Sequence, residues 1–351
     1  MTLRQLVDEY GWGLGPVVDR GPGRSRFVNH LPMGQAALQW MGQDEERIRA
    51  FSEHYLKRNN VLENRQGIAP AASLADCLGK EERYEACLGW FRQELTRREV
   101  PDLIGEVLNR WPRGLSGGLF HVTIRLAYAW EGWREDPEYR TEVARALPYF
   151  VTHSRETPAY VREVDPEDVP GEMERFLQAP GVRRLVDSGA SMGSVLKSLG
   201  SMEDPEVPGF RVSGTPEEAA EALLRFLAGA LVATPNIVVL HCITGLHGFW
   251  VLRELFEQPG EVLGLLTAAI LHHLAIVENL SWSTPATLEA LSWEDICSQA
   301  SQSNDVHTIK LAYTGRELDR SFGLPDLRAA WASWAGPETV GLTKDALISG
   351  S

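Results

Sequence analysis

Apolar residues recur along this chain at helical rather than strand spacing. Between Gly34 and Lys57, the positions Ala37, Leu38, Met41, Ile48, Phe51 and Tyr55 form an amphipathic stripe, and the spacing predicts one long helix. Helices are likewise predicted over 70–78, 80–98, 101–110 (opened by Pro101 in the first turn), 119–130, 137–153 and 172–199. Thr215-Pro216-Glu217-Glu218 is a helix start: a capping hydroxyl, proline at the first position and a glutamate three residues after the cap. That helix runs to about Val232, and Pro235-Asn236 breaks it before the next, which carries His241 and His247. Further helices are predicted over 261–279, 287–291, 293–300, 305–314 and 325–334. Convincing alternating strands are few and no fixed-period repeat is present, so the fold class is all-α, an irregular multi-helix domain.

The segment Asp204–Gly214 is rich in Pro and Gly and is the best internal boundary, giving helical halves 25–203 and 215–335. Candidate ligands described below fall on both sides of it. Residues 1–351 are therefore expected to act as a single catalytic unit, with a metal site buried between helices.

Composition narrows the partners. The chain is 44% hydrophobic and 23% charged, ordinary for a globular protein, and its formal charge of -14 argues against nonspecific binding to nucleic acid or to an anionic membrane. The apolar run from Val262 to Leu280 is interrupted by His272, His273, Glu278 and Asn279, so it reads as a helix buried in protein rather than in lipid. The first nine residues lack an apolar signal core, and the four cysteines show no CxxC pairing. Reduced thiols and a cytoplasmic location are expected. Gly11-Trp12-Gly13-Leu14-Gly15 lacks a preceding strand and the third glycine spacing of a dinucleotide fold, and Gly189–Gly193 around Ser191 lacks the strand of a nucleophile elbow.

Five residues lie in segments too apolar for a solvated face: His30, His121, His241, His307 and Lys310. Imidazole nitrogens in a dry interior need a proton partner or a cation, and these five are candidate ligands of one buried metal. His307 and Lys310, three apart, share a helical face. An ammonium beside a metal ligand repels the cation, so the amine must be neutral or converted into an anion. Taken singly, each histidine is an ordinary core or capping residue. His247 and His273 compete for a place in the set, His54 reads as surface, and His153 ends a helix, where an imidazolium suits the dipole.

Asn29-His30-Leu31-Pro32-Met33, Gly118-Leu119-Phe120-His121, His241-Cys242-Ile243-Thr244-Gly245 and Asp305-Val306-His307-Thr308-Ile309-Lys310 together resemble the questin oxidase-like family, over roughly residues 25–315. That resemblance implies a mostly helical non-haem iron oxidase, of the kind that opens anthraquinone rings in polyketide metabolism. It implies Fe(II) held by His30, His121, His241 and His307 and by a lysine carbamate, formed with carbon dioxide on Lys310, with dioxygen as cosubstrate and a small aromatic molecule as substrate. Five protein ligands on a six-coordinate ion leave one position open. Asn29, Asn304 and Asp305 are candidates to orient the imidazoles. Arg125 and Tyr128, at i+4 and i+7 from His121, suit binding and polarising a quinone oxygen or phenolate. A buried ion pair of Arg125 with Glu131 or Glu278 is the structural alternative. The family often has Pro after the histidine of its second motif, where this chain has Val122, and His247 is an added histidine after the third. A nicotinamide-assisted Baeyer–Villiger-type oxidase and a non-catalytic, metal-stabilised helical binding protein are the competing functions.

Overall fold

The computed structural model describes residues 1–21, 27–156, 160, 162–200, 209–286, 288 and 291–336. In chain order the elements begin with α1 (Leu3–Gly11), β1 (Leu14–Asp19), β2 (Phe27–Val28), α2 (Leu31–Trp40), α3 (Glu45–Arg58) and β3 (Asn60–Glu63). Next come α4 (Tyr84–Glu94), α5 (Val100–Arg110), α6 (His121–Glu135), α7 (Arg140–Thr152), β4 (Arg162–Val164), α8 (Val169–Gln178), α9 (Pro180–Val186), α10 (Met192–Gly200) and β5 (Phe210–Val212). The remainder is α11 (Pro216–Ala233), α12 (Ile237–Leu252), α13 (Pro259–Ala275), α14 (Trp293–Gln302), α15 (Val306–Phe322) and α16 (Asp326–Ala335). The fold is predominantly all-α, as the periodicity predicts. The predicted helices over 204–214's C-terminal side begin at Thr215 as expected: its side chain accepts from Glu218 N while the Glu218 carboxylate returns to the Thr215 N–H.

Two predicted helices divide and a third shrinks to one turn. The stripe over 34–57 becomes α2 and α3, because Gly42 takes a left-handed φ of 84° and Asp44 caps a new start by accepting from Arg47 N. The stretch 172–199 becomes three short helices, and only a short 3-10 turn, Leu74–Asp76, forms within 70–78. The helix predicted over 287–291 falls largely on residues outside those described, as do 204–208 of the expected boundary segment. The described end of that segment is a strand, β5, paired in parallel with β4.

The chain divides into two compact units. One comprises Met1–Arg155, Gly248–Leu255 and Trp293–Thr314. In it α7 packs on α4, α5 and α6, α2 packs on α1, α3 and α6, and a small sheet of order β2-β1-β3 is antiparallel throughout. Gly248 serves this packing: a β-carbon there would lie 3.3 Å from the backbone of Thr123 and Ile124 in α6. The other unit comprises Glu156–His247, Phe256–Ser292 and Gly315–Ser351, in which α11 packs on α16, α13 and α8, and β5 packs on α13. Among the described residues no helix is long and apolar enough to cross a membrane.

Candidate metal centre

His30 precedes α2 as its N-cap but makes no capping bond with its side chain. That role is taken by Asn29, whose carboxamide oxygen accepts from Leu31 N at 3.1 Å and whose amide donates to Gly15 O at 3.2 Å. The His30 backbone N–H donates to the Tyr55 hydroxyl at 2.8 Å, and its ring Nδ1 lies 2.7 Å from Val28 O. The imidazole is thus spared from capping, and its Nδ1 side is anchored to the backbone. Asn29 positions the backbone around the ring, not the ring itself.

His121 is the first residue of α6, and the turn that delivers it is strained. Gly118, Leu119 and Phe120 all adopt left-handed φ, at 58°, 58° and 65°. Left-handed backbone at a residue with a β-carbon costs about 1–3 kcal/mol, so Leu119 and Phe120 store energy here that packing must offset. Burial of Phe120 contributes to that offset, and the end of α7 packs closely against the turn. A β-carbon on Gly118 would sit 2.6 Å from the Tyr149 hydroxyl, and one on Gly117 would collide with the His153 carbonyl oxygen. The product of the turn is a single contact: Gly118 O stands 2.5 Å from His121 Nδ1.

These two bonds fix the chemistry of both rings. A carbonyl oxygen only accepts, so Nδ1 carries the proton in each, and each neutral ring turns a lone pair outward on Nε2. Yet His30 Nε2 and His121 Nε2 lie 2.6 Å apart, with the rings edge-on at 87°. Two facing lone pairs repel unless a proton or a cation lies between them. This is the donor arrangement of metal-binding histidines, in which the second nitrogen is engaged by a carbonyl or carboxylate.

His241 on α12 repeats the pattern, its Nδ1 2.6 Å from Ile237 O. The ligand atoms of His30, His121 and His241 all lie within 4.8 Å of one another, and all three residues are buried. His307 is not within that group, although its ring meets His30 edge-on with centroids 4.9 Å apart. Its Nδ1 faces Asp305 Oδ1 at 3.3 Å, and its side chain is 23% exposed. Asp305 caps α15 by accepting from His307 N and Thr308 N at 3.2 Å and from the Thr308 hydroxyl at 2.7 Å. Burial alone would raise the Asp305 carboxyl, but these bonds and His307 hold it well below the usual carboxylate range. Asn304, by contrast, turns its carboxamide oxygen to Arg47, accepting at 3.3 Å. Arg47 also donates to Ser301 O at 2.6 Å and Ser303 O at 2.5 Å, tying down the turn from which α15 starts.

Lys310 follows His307 on the same face of α15. It is fully buried, and its Nζ has no hydrogen-bond partner among the described residues. Burial pushes the amine down to about 7, with Asp305 pulling it back upward. A neutral, unpartnered amine in a dry site is nucleophilic.

The remaining candidates separate. Arg125 forms the buried ion pair, but with Glu142 rather than Glu131 or Glu278: its Nε and Nη2 both lie 2.8 Å from Glu142 Oε1. Arg145 joins at 3.3 Å and extends the chain to Asp8 at 2.9 Å. Burial opposes the Arg125 charge and Glu142 outweighs it, raising the guanidinium pKa further. Arg125 Nη1 has no protein partner among the described residues. Tyr128 packs its ring against Trp40 and Tyr313. His247 and His273 stand outside the three-histidine group; His247 is pushed down to about 4 by burial, and His273 Nδ1 faces Ala269 O at 2.7 Å. His153, expected as an imidazolium at a helix end, is instead pushed down to about 4, first by burial and then by Arg125. The helix dipole loses to desolvation there.

Tyr55, Arg47, Glu142 and Tyr149 escape a reading of the sequence. Each is an unremarkable residue on an amphipathic helix, and only tertiary packing brings it to the centre.

The sequence pattern of questin oxidase-like proteins matches residues 27–314, which holds every residue of the centre. The chain belongs to the questin oxidase-like family. Membership gives this questin oxidase-like chain an oxidoreductase activity of the oxidase or oxygenase type. A search of curated proteins finds no match.

Proposed function

We propose that the chain is a metal-dependent oxygenase that inserts oxygen into a polycyclic aromatic ketone or quinone and so opens a ring. The observation that carries this is the pair of Nε2 lone pairs of His30 and His121, 2.6 Å apart with both Nδ1 atoms engaged by carbonyl oxygens. His241, His307 and Lys310 complete a ligand set of imidazoles and one anionic oxygen, which suits iron(II) among first-row ions. Bound there, iron supplies the one-electron chemistry that ground-state dioxygen needs in order to react with a closed-shell aromatic molecule.

The protein's own residues do the rest. The neutral Lys310 amine attacks carbon dioxide, forming an N–C bond and releasing one proton, and the resulting carbamate supplies the negative oxygen. Asp305 faces the His307 Nδ1 and would fix the tautomer that carries its proton there, leaving Nε2 as the ligand atom. Arg125 is kept charged by Glu142 and retains one donor, Nη1, for an electron-rich substrate oxygen. Four buried cysteines, all reduced, support a reducing, cytoplasmic setting.

The test is metal analysis of the purified chain, followed by oxygen uptake with a panel of anthraquinones and anthrones, with and without reduced nicotinamide. Stoichiometric iron and substrate-dependent uptake without nicotinamide are expected. Iron without uptake on any substrate would reduce the chain to a metal-stabilised binding protein. Uptake that needs nicotinamide would favour a Baeyer–Villiger-type oxidase. A His307→Ala variant that keeps full iron would remove His307 from the ligand set.

A further inference from the structure

The helices that carry three of the histidines carry a second cluster farther along. Trp40 ends α2, ten residues after His30; Tyr128 lies seven after His121 on α6; Tyr313 lies six after His307 on α15. At about 1.5 Å per residue, Tyr128 and Tyr313 stand roughly 9–11 Å along their helices from those histidines. The three rings close a triangle, with centroids 5.5 Å apart for Trp40–Tyr128, 5.1 Å for Trp40–Tyr313 and 5.6 Å for Tyr128–Tyr313. Both tyrosines are buried, while Trp40 is partly exposed. Two members have a carboxylate in place. The Tyr313 hydroxyl donates to Glu131 Oε1 at 2.9 Å, and Trp40 Nε1 donates to Glu135 Oε2 at 2.8 Å. Glu131 and Glu135 are one turn apart on α6, and Glu135 is exposed.

Packing alone does not ask for this chemistry, since phenylalanine would fill the same volume without burying a phenol that needs a partner. Tyrosine and tryptophan are the aromatic side chains that release one electron most readily. A tyrosine that does so becomes strongly acidic, so its proton must leave in the same event to a base within hydrogen-bond reach. Glu131 is such a base. The carboxylates also favour the positive charge that an oxidised Trp40 carries.

We propose that Trp40 and Tyr313, with the Tyr128 ring packed between them and the histidine centre as the conducting contact, form a one-electron relay between that centre and the protein surface. The proposal rests on the redox reading of that centre. When dioxygen is consumed without an aromatic substrate, the oxidising equivalent passes outward instead of destroying the ligands. At the outer step, oxidised Trp40 regains one electron from Tyr313, and the Tyr313 phenolic proton moves to Glu131. A thiol- or ascorbate-class one-electron reductant at the exposed edge of Trp40 then returns the electron to Tyr313 through that ring, and Glu131 returns the proton.

The test uses the full chain stripped of metal with a chelator, so that it does not depend on turnover. A one-electron oxidant, the azide radical, is generated by pulse radiolysis, and tryptophanyl and tyrosyl radical absorbance are followed in time. A fast tryptophanyl-to-tyrosyl phase is expected in the native chain. Tyr313→Phe and Trp40→Phe should each remove that phase, with far-UV circular dichroism unchanged. Glu131→Gln should slow it by about a hundredfold, the ordinary cost of losing a positioned base. If both ring substitutions leave the phase at its native amplitude, the relay does not exist. In a second arm the iron-loaded chain is exposed to dioxygen without substrate, and oxidised residues are mapped by mass spectrometry. The relay predicts more damage to the histidines in Trp40→Phe than in the native chain; equal damage would overturn its protective direction. A radical phase in the metal-free chain with no self-oxidation in the loaded one would sustain the relay while sinking the redox reading of the centre.

Discussion

Replacing Lys310 with methionine isolates the energetic demand of the centre. The amine is fully buried and unpartnered among the described residues, and burial has moved it from its ordinary 10.5 to about 7. The unfolded chain therefore binds this proton more tightly than the folded one. Stability rises with pH through the window from about 7 to about 10.5, at about 1.4 kcal/mol per pH unit, and is flat on either side. Below pH 7 the native chain carries a buried ammonium at a cost of about 5 kcal/mol relative to the neutral form. Methionine has similar length, no charge and no proton to bind. In metal-free, carbon-dioxide-free buffer at pH 6, Lys310→Met should thus be more stable than the native chain by up to about 5 kcal/mol. The gap should narrow steadily between pH 7 and 9.5. Urea unfolding at four or five pH values, with chelator and under nitrogen, measures both curves. Parallel curves across that window would refute the reasoning, because they would mean that Lys310 keeps its proton equally well folded and unfolded.

Three further outcomes are expected. Glu142→Ala leaves Arg125 buried without its partner and beside Arg145, and should destabilise by about 3–5 kcal/mol in urea unfolding, whereas a surface pair such as Arg183–Asp187 should be nearly neutral to the same treatment. Gly118→Ala adds a β-carbon 2.6 Å from the Tyr149 hydroxyl at a φ of 58°. It should cost roughly 1–3 kcal/mol and lower iron content, and combining it with Tyr149→Phe should recover part of the loss by freeing that space. Asp305→Asn keeps the helix cap but not the charge facing His307. Competition against a chromophoric chelator should show iron binding weakened by about 10–100-fold, with the helical circular dichroism intact.

What the sequence made legible was local. The capping box at Thr215–Glu218, the all-α pattern and the His307-x-x-Lys310 pair need only neighbours along the chain. The break between α2 and α3 was also written locally, in Gly42 and in Asp44 ahead of Glu45-Glu46, but the apolar stripe runs through Met41 to Ile48 and masks it. The three left-handed residues at 118–120 were half visible: two glycines announce a turn, but nothing in Leu119 or Phe120 announces a conformation that both disfavour. The charge state of His153 went wrong because helix position was weighed without its burial or Arg125. The Arg125–Glu142 pair and the Trp40–Tyr128–Tyr313 triangle join residues far apart in sequence, and no spacing rule reaches them.

His30 caps α2, His121 opens α6, and His307 sits in the first turn of α15. Each helix start is the positive end of a helix dipole, equivalent to about half a positive charge, which the Asp305 carboxylate offsets at α15 but no carboxylate caps at α2 or α6. Directed at His30 and His121, these two ends give the histidine site a fixed electropositive bias before anything enters it. A negatively charged guest, such as azide or an ionised phenol, should be drawn in ahead of an uncharged one of the same size. Because most of this field lies beneath the surface, added salt will blunt that preference only slightly.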